Sequence, residues 1–480
     1  MDERIIARFL DENRAEFLQD IMKLVSIPSV SIPDNRISDN GVPSAGQSSV
    51  SCRYPFGEGC ARVLDAALSI GERMGFKTEN HEYYCGSILM PGSEKGEIGM
   101  FSHLDVVPEG VGWINPPYIP YVSDGWLYGR GSSDNKGPAV TALYAMRCLQ
   151  ENGVRLRHTV RLFLGCSEEN GMHDIAYYLD HFPAPDFSFT PDASFSVCYS
   201  EKGIMEADFT TPLPEEIIEF SAGTASNAVA GNAVALLKNM TGKIPEADPV
   251  LWPGITIKQD GSLLRVEAEG KSAHAAFPEG SENAAVMLAA FLCNCGLVSG
   301  KTCKILSFVS RCFKDYYGKA LDISYEDEQL GRLTVIAGMT RTEKGMLRQN
   351  INIRYPAEAD AERMERMLSA AAKAYGWKLS SVRNDPPSYV SPDSPLVQAL
   401  DKACRDRLGP SFAPYTMGGG TYARRLPNAV AFGPGIRGQK KPGPDGHGGG
   451  HQPDECVRLQ GLEDALYIYV QALLAVDQML

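Results

Sequence analysis

The sequence predicts an α/β fold built on a mixed, largely parallel sheet, into which a second, α+β domain is inserted. Three observations support this prediction. A chain of 480 residues exceeds what one hydrophobic core usually supports. Helical and strand patterns alternate in the first half and return near the C-terminus. The segment between them differs in character, so we predict a first domain of residues 1–196 and 387–480 around an insert of residues 197–386.

The elements of the first domain are predicted from the spacing of its apolar residues. Apolar residues recur at helical spacing in residues 1–25 and 61–76 and from about Leu459 to Leu474. Apolar runs of strand length predict buried strands at EIGMFSHLD, HTVRLFLGCSEE, DFSFTPDAS and NAVAFGPG. Helices and strands therefore alternate along this domain, as they do in α/β proteins.

The predicted insert has its own strands and helices. Strand-like runs occur at SLLRVEAEG and QNINIRYP, and helix-like runs at NAAVMLAAFL and ADAERMERMLSAAAKAYG. The PPSYVSPDSP stretch, rich in Pro and Ser, marks the return to the first domain. We therefore predict an α+β insert that starts and ends in the same region of the first domain.

Composition argues against several classes of protein. The formal net charge of -13 disfavours a nucleic-acid partner, because phosphate binding needs a basic surface. The first 25 residues mix charged with apolar side chains, so we expect neither a signal segment nor a membrane segment, and a cytoplasmic protein. The twelve cysteines include no CxxC pair, so reduced thiols are expected rather than disulfides or a zinc knot.

Polar side chains follow three of the predicted strands. His103 and Asp105 end the first of these strands, Glu168 and Glu169 follow the second, and Asp192 follows the third. The carboxyl ends of parallel strands meet at one edge of a sheet, where α/β proteins bind their ligands. We therefore expect these five side chains to gather at one edge.

Two more candidates lie in glycine-rich loops. Asp134 stands in GRGSSDNKGP, and its carboxylate could bridge two metal ions about 3.5–4 Å apart, although Asp134 could instead cap a helix that starts near Pro138. His451 stands in GGGHQPDE, where glycines permit close approach to an ion, and we interpret its neighbour His447 as a solvated loop residue. His, Asp and Glu in this combination are what a pair of divalent ions with an activated water requires, so a hydrolytic enzyme is the leading prediction.

Residues of this set that are close in sequence are predicted to have different roles. In the H-x-D pair, His103 would bind a metal ion while Asp105 orients the imidazole ring, although such a pair taken alone is more often surface polarity. Of the adjacent carboxylates Glu168 and Glu169, one would bind metal while the other faces the attacking water as a general base. The alternative for this acidic pair is a helix start stabilised by the helix dipole.

The order of these motifs resembles the ArgE/DapE/aminoacylase-type metallopeptidases, and most closely their PepV-like dipeptidase branch. The resemblance runs from about Ile27 to the C-terminus. The motifs that carry it are, in chain order, SHLDVVP, GRGSSDNKGP, GCSEENG, TPDAS, KSAHAAFPEGSENA, NINIRYP, GGGTYARRLPNAVAFGPG and HQPDE. So many ordered motifs make coincidence remote.

The resemblance implies an α/β catalytic domain that binds two metal ions, and an inserted lid domain. The implied metal ligands are His103 and Asp192 for one ion, Glu169 and His451 for the other, and Asp134 as the bridge. Glu168 would be the general base, and Asp105 would support His103. A lid of this kind could close over the ions and exclude water.

Three residues of the insert acquire a role only through the resemblance. His274 in KSAH would stabilise the oxyanion, while Arg354 in NIRYP and Asn227 in TASNAV would contact the substrate and the oxyanion. On pattern alone His274 is a lone histidine and Arg354 a charge on a strand surface. Three departures stand out. The loop before His451 carries the additional His447 and a GGG run, GRLTVIAGMTRT diverges from the family, and Asn135 follows Asp134 where a second Asp is frequent.

We therefore predict a metal-dependent hydrolase that cleaves small peptides, dipeptides foremost, with two divalent ions. Zinc suits the His and carboxylate ligands best, and manganese or cobalt are alternatives. The alternative activities are an N-acyl amino acid deacylase or a carboxypeptidase of the same family and, from another class, a catalytically silent binding protein. We expect a monomer, because the long insert of the PepV-like branch completes the site within one chain, with a small peptide as partner and neither nucleic acid nor membrane.

Overall fold

The protein consists of two compact units. A computed structural model describes residues 1–32, 53–239, 248 and 250–480. The first unit comprises Met1–Tyr199, Tyr389–Tyr415 and Thr421–Leu480, and the second comprises Ser200–Ser388 and Thr416–Gly420. We predicted an insert over residues 197–386, but not the short second segment. The parts of the predicted domains at residues 33–52, 240–247 and 249 lie outside the described residues.

In the described residues up to Glu201, five strands in succession lie between the second and third helices, and helices and strands alternate only after that. They are α1 (Glu3–Val25), α2 (Glu58–Arg73), β1 (Lys77–His81), β2 (Cys85–Met90), β3 (Glu97–His103), β4 (Tyr121–Ser123), β5 (Trp126–Tyr128), α3 (Lys136–Glu151), β6 (Thr159–Gly165), α4 (His173–His181), β7 (Phe187–Thr190), β8 (Ala193–Phe195) and β9 (Val197–Glu201).

The chain then forms the larger part of the second unit. Its elements are β10 (Gly203–Pro212), β11 (Ile217–Ala222), β12 (Asn232–Lys238), β13 (Ile255–Asp260), β14 (Leu263–Glu269), α5 (Ala284–Asn294), α6 (Gly300–Cys312), β15 (Glu326–Asp327), β16 (Gly331–Arg332), β17 (Thr334–Glu343), β18 (Met346–Tyr355), α7 (Ala361–Tyr375) and β19 (Lys378–Asp385).

The last part of the chain lies mostly in the first unit, although Ser388 and Thr416–Gly420 belong to the second. Its elements are β20 (Ser388–Tyr389), α8 (Pro395–Leu408), β21 (Tyr415–Met417), β22 (Ala429–Phe432), β23 (Pro434–Ile436), β24 (Cys456–Arg458) and α9 (Leu459–Asp477).

The main sheet of the first unit is mixed, with a parallel centre, as predicted. Its strands are ordered β1-β2-β6-β3-β7-β22-β9-β20, and β21 also pairs with β9. β3 pairs in parallel with β6 and β7, and β7 pairs in parallel with β22, whereas β1, β2 and β9 pair antiparallel at the two sides. The central strands are buried, and α3, which is itself almost wholly buried, packs against α1 and α9. This packing explains why the strands read as continuous apolar runs.

The parallel pairing brings the polar ends of three strands together. In the register of β3 and β6, His103 lies opposite Gly165, so both strands end at the same edge. Glu168 and Glu169 follow Gly165 within a few residues, and Asp192 follows Thr190, the last residue of β7, by two. The expected gathering at one edge therefore has a direct cause in the sheet topology.

The second unit is an α+β structure. Its sheet has the order β13-β14-β12-β11-β17-β18-β10-β19, with antiparallel pairing between neighbours. Apolar side chains of α5, α6 and α7 form one core with the strands, and residues such as Phe209, Phe308 and Leu368 are fully buried in it. The strands alternate buried and more exposed positions, as expected when one face of a sheet is covered.

Membrane spanning is not indicated in the part of the chain that the structure describes. Among those residues, no helix combines the length and the apolar character needed to cross a bilayer.

Candidate metal centre

The imidazole of His103 is oriented by the backbone just after β3. Its Nδ1 lies 2.9 Å from the carbonyl oxygen of Asp105. Because a carbonyl oxygen can only accept, Nδ1 carries the proton, and Nε2 of the neutral ring presents its lone pair. That Nε2 lies 3.0 Å from Oδ1 of Asp134 and 3.6 Å from Oδ2 of Asp192. A lone pair that faces two carboxylates needs a proton or a metal cation between them.

Asp134 faces two histidines with its two oxygens. Oδ1 lies 3.0 Å from Nε2 of His103, and Oδ2 lies 3.3 Å from Nε2 of His451. The N-cap position of α3 is occupied by Asn135, so the alternative interpretation of Asp134 as a helix cap is wrong. A carboxylate with each oxygen directed at a different ligand group has the arrangement needed to bridge two ions.

His451 reaches this carboxylate from a glycine-rich loop. Its backbone has a φ of 65°, and its Nε2 lies 2.8 Å from Oε1 of Glu169. A side chain in place of Gly450 would put its Cβ 2.9 Å from Oδ2 of Asp134. The glycine before His451 is therefore required by the close approach of the loop to Asp134.

The donor atoms form two groups of metal-binding size that share one residue. Within each group, one nitrogen or oxygen from every residue lies within 4.8 Å of the others. The groups are His103, Asp134 and Asp192, and Asp134, Glu169 and His451. Imidazole nitrogen and carboxylate oxygen are the ligands used by zinc and also by manganese and cobalt, so the residues present fit a pair of divalent ions.

Electrostatics also favours cations in the cluster. Burial would lower the pKa of His451, but its hydrogen bonds with the carboxylates of Asp134 and Glu169 raise it to about 11. Burial raises the pKa of Asp192 to about 7; the His103 ring opposes this rise, and the carboxylates of Asp134 and Glu169 add to it. The cluster holds more negative charge than its imidazoles compensate, which a pair of divalent ions would neutralise.

The adjacent glutamates differ in position. Glu169 belongs to a ligand group, whereas Glu168 belongs to neither. Burial raises the pKa of Glu168 well above its usual range, with His103 opposing the rise and Asp192 adding to it. α4 begins only at His173, so the alternative of an acidic helix start is wrong. A half-buried carboxyl group beside the ligands, with a raised pKa, is suited to hold a proton temporarily.

Asp105 supports both sides of the cluster. Its carboxylate accepts hydrogen bonds of 3.1 Å from the backbone N–H groups of Glu168 and of Glu169. Its Oδ1 lies 3.5 Å from Nδ1 of His103, farther than the carbonyl oxygen of the same residue. Asp105 therefore orients the ring mainly through its backbone, while its side chain positions the two glutamates.

Glu455 holds the loop that presents Asp134, and we did not predict this role. Its fully buried carboxylate accepts hydrogen bonds from the N–H groups of Gly131, Ser133 and Asp134 at 2.9 to 3.0 Å. It also pairs with the guanidinium of Arg130 at 2.8 Å. Glu455 lies in the HQPDE motif, so its presence in that motif was the only available signal.

Asn135 and Asp174 are two further supports that the sequence analysis missed. Asn135 donates from Nδ2 to Oδ1 of Asp192 at 3.0 Å and to the carbonyl oxygen of Pro191 at 2.7 Å. Asp174 accepts from the N–H of Cys166 at 2.6 Å and of Ser167 at 2.7 Å, just before the glutamates. Asn135 lies in the GRGSSDNKGP motif, whereas nothing in the local sequence distinguishes Asp174.

His447 is not the solvated loop residue that we predicted. Its ring is half-buried, and Nδ1 lies 2.6 Å from Oδ2 of Asp454. Asp454 also accepts a hydrogen bond of 3.0 Å from the backbone N–H of Ile114. His447 belongs to neither ligand group among the described residues, so its contacts support the loop rather than a metal ion.

The three residues predicted from the insert lie in the second unit. Asn227 and His274 stand on neighbouring segments, since Ala228 pairs with His274 and the carbonyl oxygen of Asn227 accepts from the N–H of Ala275 at 2.8 Å. Arg354 lies on β18, is 5% exposed, and donates from Nε to Oδ1 of Asn352 at 2.8 Å. Their roles toward a substrate stay predictions.

Comparison with known proteins identifies the family. Residues 99–475 match the sequence profile of peptidase family M20/M25/M40. The chain belongs to this family. The chain is also 32% identical over 438 residues to the putative dipeptidase YtjP of Bacillus subtilis (strain 168), covering 87% of this chain and 91% of that one. The Beta-Ala-Xaa dipeptidase of Lactobacillus delbrueckii subsp. lactis is 32% identical over 438 residues, covering 88% and 90%.

Solved structures of low sequence identity share the fold of this M20 peptidase. Human carnosine dipeptidase 1 is 16% identical, with a TM-score of 0.58 over 99% of this chain and 98% of that one. A tripeptidase from Staphylococcus aureus subsp. aureus Mu50 is 16% identical, with a TM-score of 0.55 over 97% and 98%. The predicted family, the α/β fold and the assignment as a metallopeptidase are therefore confirmed, and a silent binding protein is not favoured.

Proposed function

We propose that this metallopeptidase hydrolyses dipeptides that carry a free α-amino group and a free α-carboxylate, with two divalent metal ions in the first unit. The observation that carries the proposal is the double role of Asp134, whose two oxygens face two different histidines. The relatives named as dipeptidases, which match the chain over most of its length, support the choice of substrate.

One ion would be held by His103, Asp134 and Asp192, and the other by Asp134, Glu169 and His451. We propose zinc as the resident metal, because imidazole and carboxylate suit it, with manganese or cobalt as alternatives that an oxygen-rich site accepts. When bound, such ions polarise the scissile carbonyl and make water acidic enough to lose a proton near neutral pH.

Glu168 would serve as the general base. Its carboxylate takes a proton from the attacking water at one oxygen and delivers that proton to the nitrogen of the leaving amine. Burial supports this role, because a carboxyl with a raised pKa releases a proton less readily to bulk water and can return it to the product. The backbone of Glu168 is held by Asp105, which fixes the direction from which the base acts.

The second unit would supply contacts to the substrate. As the family resemblance implies, we propose that His274 and Asn227 stabilise the charge that develops on the carbonyl oxygen, and that Arg354 binds the terminal carboxylate. A planar guanidinium matches the geometry of a carboxylate. We further propose that one chain contains all of these residues and acts as a monomer.

A substrate panel on the metal-loaded protein tests the proposal. The compounds are an unblocked dipeptide, its N-acetyl form and the matching tripeptide, and the measured quantity is kcat/KM. We expect the unblocked dipeptide to be the best substrate. If the N-acetyl compound is the best, the protein is a deacylase of the same family; if none is cleaved at any metal loading, the proposed function is wrong.

A further inference from the structure

A row of hydrogen-bonded side chains crosses one face of the sheet in the second unit. β10 and β18 pair so that Glu206 lies opposite Asn352, and Ile204 opposite Arg354. Alternate residues of a strand share a face, so Asn352 and Arg354 project to the same side. Glu206 projects to that side as well, because it contacts Asn352 directly.

The bonds in this row run in one direction. Arg354 donates from Nε to Oδ1 of Asn352 at 2.8 Å, and Asn352 donates from Nδ2 to Oε1 of Glu206 at 2.9 Å. Ser226 donates its hydroxyl to the same Oε1 at 2.9 Å. Asn352 is fully buried and Arg354 is 5% exposed, so these bonds form largely away from solvent. Bonds to a charged group under such conditions are strong and directional.

Glu206 determines which way the amide of Asn352 points. An ionised carboxylate can only accept hydrogen bonds, so Asn352 must turn its NH2 group toward Glu206. Its carbonyl oxygen then faces the opposite way, toward Nε of Arg354. Because a guanidinium can only donate hydrogen bonds, Nε needs an acceptor at this position. Without Glu206, the amide could rotate and present N–H groups to the guanidinium. Arg354 also donates from Nη1 to the carbonyl oxygen of Gly418 at 3.2 Å, so Glu206, through Asn352, fixes the Nε side of the guanidinium.

The same carboxylate reaches the loop that carries Asn227. Ser226, which donates to Glu206, immediately precedes Asn227 in the chain. The backbone of this loop lies against β17 at Gly338, where an added Cβ would come 2.5 Å from the carbonyl oxygen of Ser226. The loop is therefore held closely by its own backbone packing, and the hydroxyl of Ser226 provides a fixed anchor for the carboxylate of Glu206.

We propose that Glu206 is a positioning residue that, through Asn352, holds Arg354 for recognising the terminal carboxylate of the substrate. This inference rests on the proposed function, because it takes Arg354 as the carboxylate contact. Glu206 acts on Arg354 through Asn352, and the hydroxyl of Ser226 anchors the carboxylate of Glu206. Its loss should therefore affect substrates with a free carboxylate and spare those without one.

The test compares an unblocked dipeptide with its C-terminal amide in wild type, Glu206→Ala and Arg354→Ala. We expect Glu206→Ala to raise KM for the free acid roughly tenfold at little change in kcat, as for a lost ground-state contact. For the amide, kcat/KM should change less than about twofold. In the Arg354→Ala background, adding Glu206→Ala should have no further effect, because both changes remove the same interaction.

Asp208 provides a matched control on the same strand. It accepts hydrogen bonds from Asn350 at 3.1 Å and from Arg348 at 2.7 Å, and the pair of Asp208 and Asn350 lies two residues farther along β10 and β18 on the same face. Asp208→Ala should leave the preference for the free acid over the amide unchanged. If circular dichroism shows that Glu206→Ala folds poorly, Glu206→Gln is a second variant. It should also lower the preference for the free acid over the amide.

Two results would overturn the inference while the proposed function stands. The first is an active enzyme in which Glu206→Ala and Glu206→Gln lower kcat/KM equally for the acid and the amide. The second is an effect of Glu206→Ala that adds in full to that of Arg354→Ala. A wild type that cleaves no dipeptide refutes the proposed function itself, and this inference with it, so the two failures are distinguishable.

Discussion

The carboxylate of Glu455 accepts a hydrogen bond of 3.0 Å from the backbone N–H of Asp134, across more than 300 residues of sequence. Because Glu455 lies four residues after His451, it connects the two loops that carry the bridging carboxylate and one histidine of the centre. The geometry of the candidate metal centre therefore depends on a residue outside it.

The first prediction concerns this support. Glu455→Ala leaves the guanidinium of Arg130 buried without its partner, and removing one member of a buried ion pair typically costs about 3–5 kcal/mol. We expect a loss of this size in urea unfolding, together with weaker metal binding. Glu94→Ala removes the partner of Arg157 in an exposed pair and should leave the unfolding midpoint unchanged. Equal midpoints for wild type and Glu455→Ala would refute the role of Glu455.

The second prediction uses the sharing of Asp134 between the two ligand groups. Chelation should abolish hydrolysis, and a divalent metal should restore it. By elemental analysis after dialysis, His451→Ala should retain more metal than Asp134→Ala, because loss of Asp134 removes a ligand from both groups. Asp134→Ala that keeps two ions per chain would show that Asp134 is not a bridge.

The third prediction separates the adjacent glutamates. Glu168→Gln should bind metal as wild type does and lose about 10²–10⁴-fold in kcat, the usual value of general-base catalysis. Glu169→Gln should lose metal instead, because Glu169 belongs to a ligand group. Each variant serves as the control for the other. The reverse pattern of metal content would mean that the base and the ligand are exchanged.

The fourth prediction concerns the substrate carboxylate. Amidation of the substrate's C-terminal carboxylate should lower kcat/KM of the wild-type enzyme by about 10–100-fold, which corresponds to one lost charged hydrogen-bonding contact. For the Arg354→Ala variant, kcat/KM should be nearly the same for the amide and for the free acid. Arg348→Ala, which removes an exposed guanidinium from the same strand, is the control and should behave as wild type does. An amide cleaved by wild type as fast as the free acid contradicts the role of Arg354.

The fifth prediction concerns assembly. If one chain contains a complete site, mixing inactive His274→Ala protein with inactive Glu168→Ala protein should restore no activity. Sedimentation of wild type should give the mass of one chain. Recovery of activity in the mixture would indicate that His274 serves the site of another subunit.

Much of the site was predictable because it follows from local pattern. The apolar runs predicted the strands, and the rule for parallel sheets predicted that His103, Glu168, Glu169 and Asp192 gather at one edge. The interpretations of single loop residues were less secure. The interpretation of His447 as a solvated residue was wrong, and so was the alternative of Asp134 as a helix cap, because a local pattern does not reveal which side chains become neighbours in the fold.

The sequence by itself determined the family, the α/β order of elements and the residue types of the candidate metal centre. The tertiary structure alone decided which carboxylate oxygen faces which histidine, and that Asp105 orients His103 mainly through its backbone. It also decided that Glu455 accepts a hydrogen bond from the backbone N–H of Asp134, and that Glu206 accepts one from the side chain of Asn352. The physical reason is that periodicity records only which face of an element is buried, whereas these hydrogen bonds join residues that become neighbours only when the strands pair.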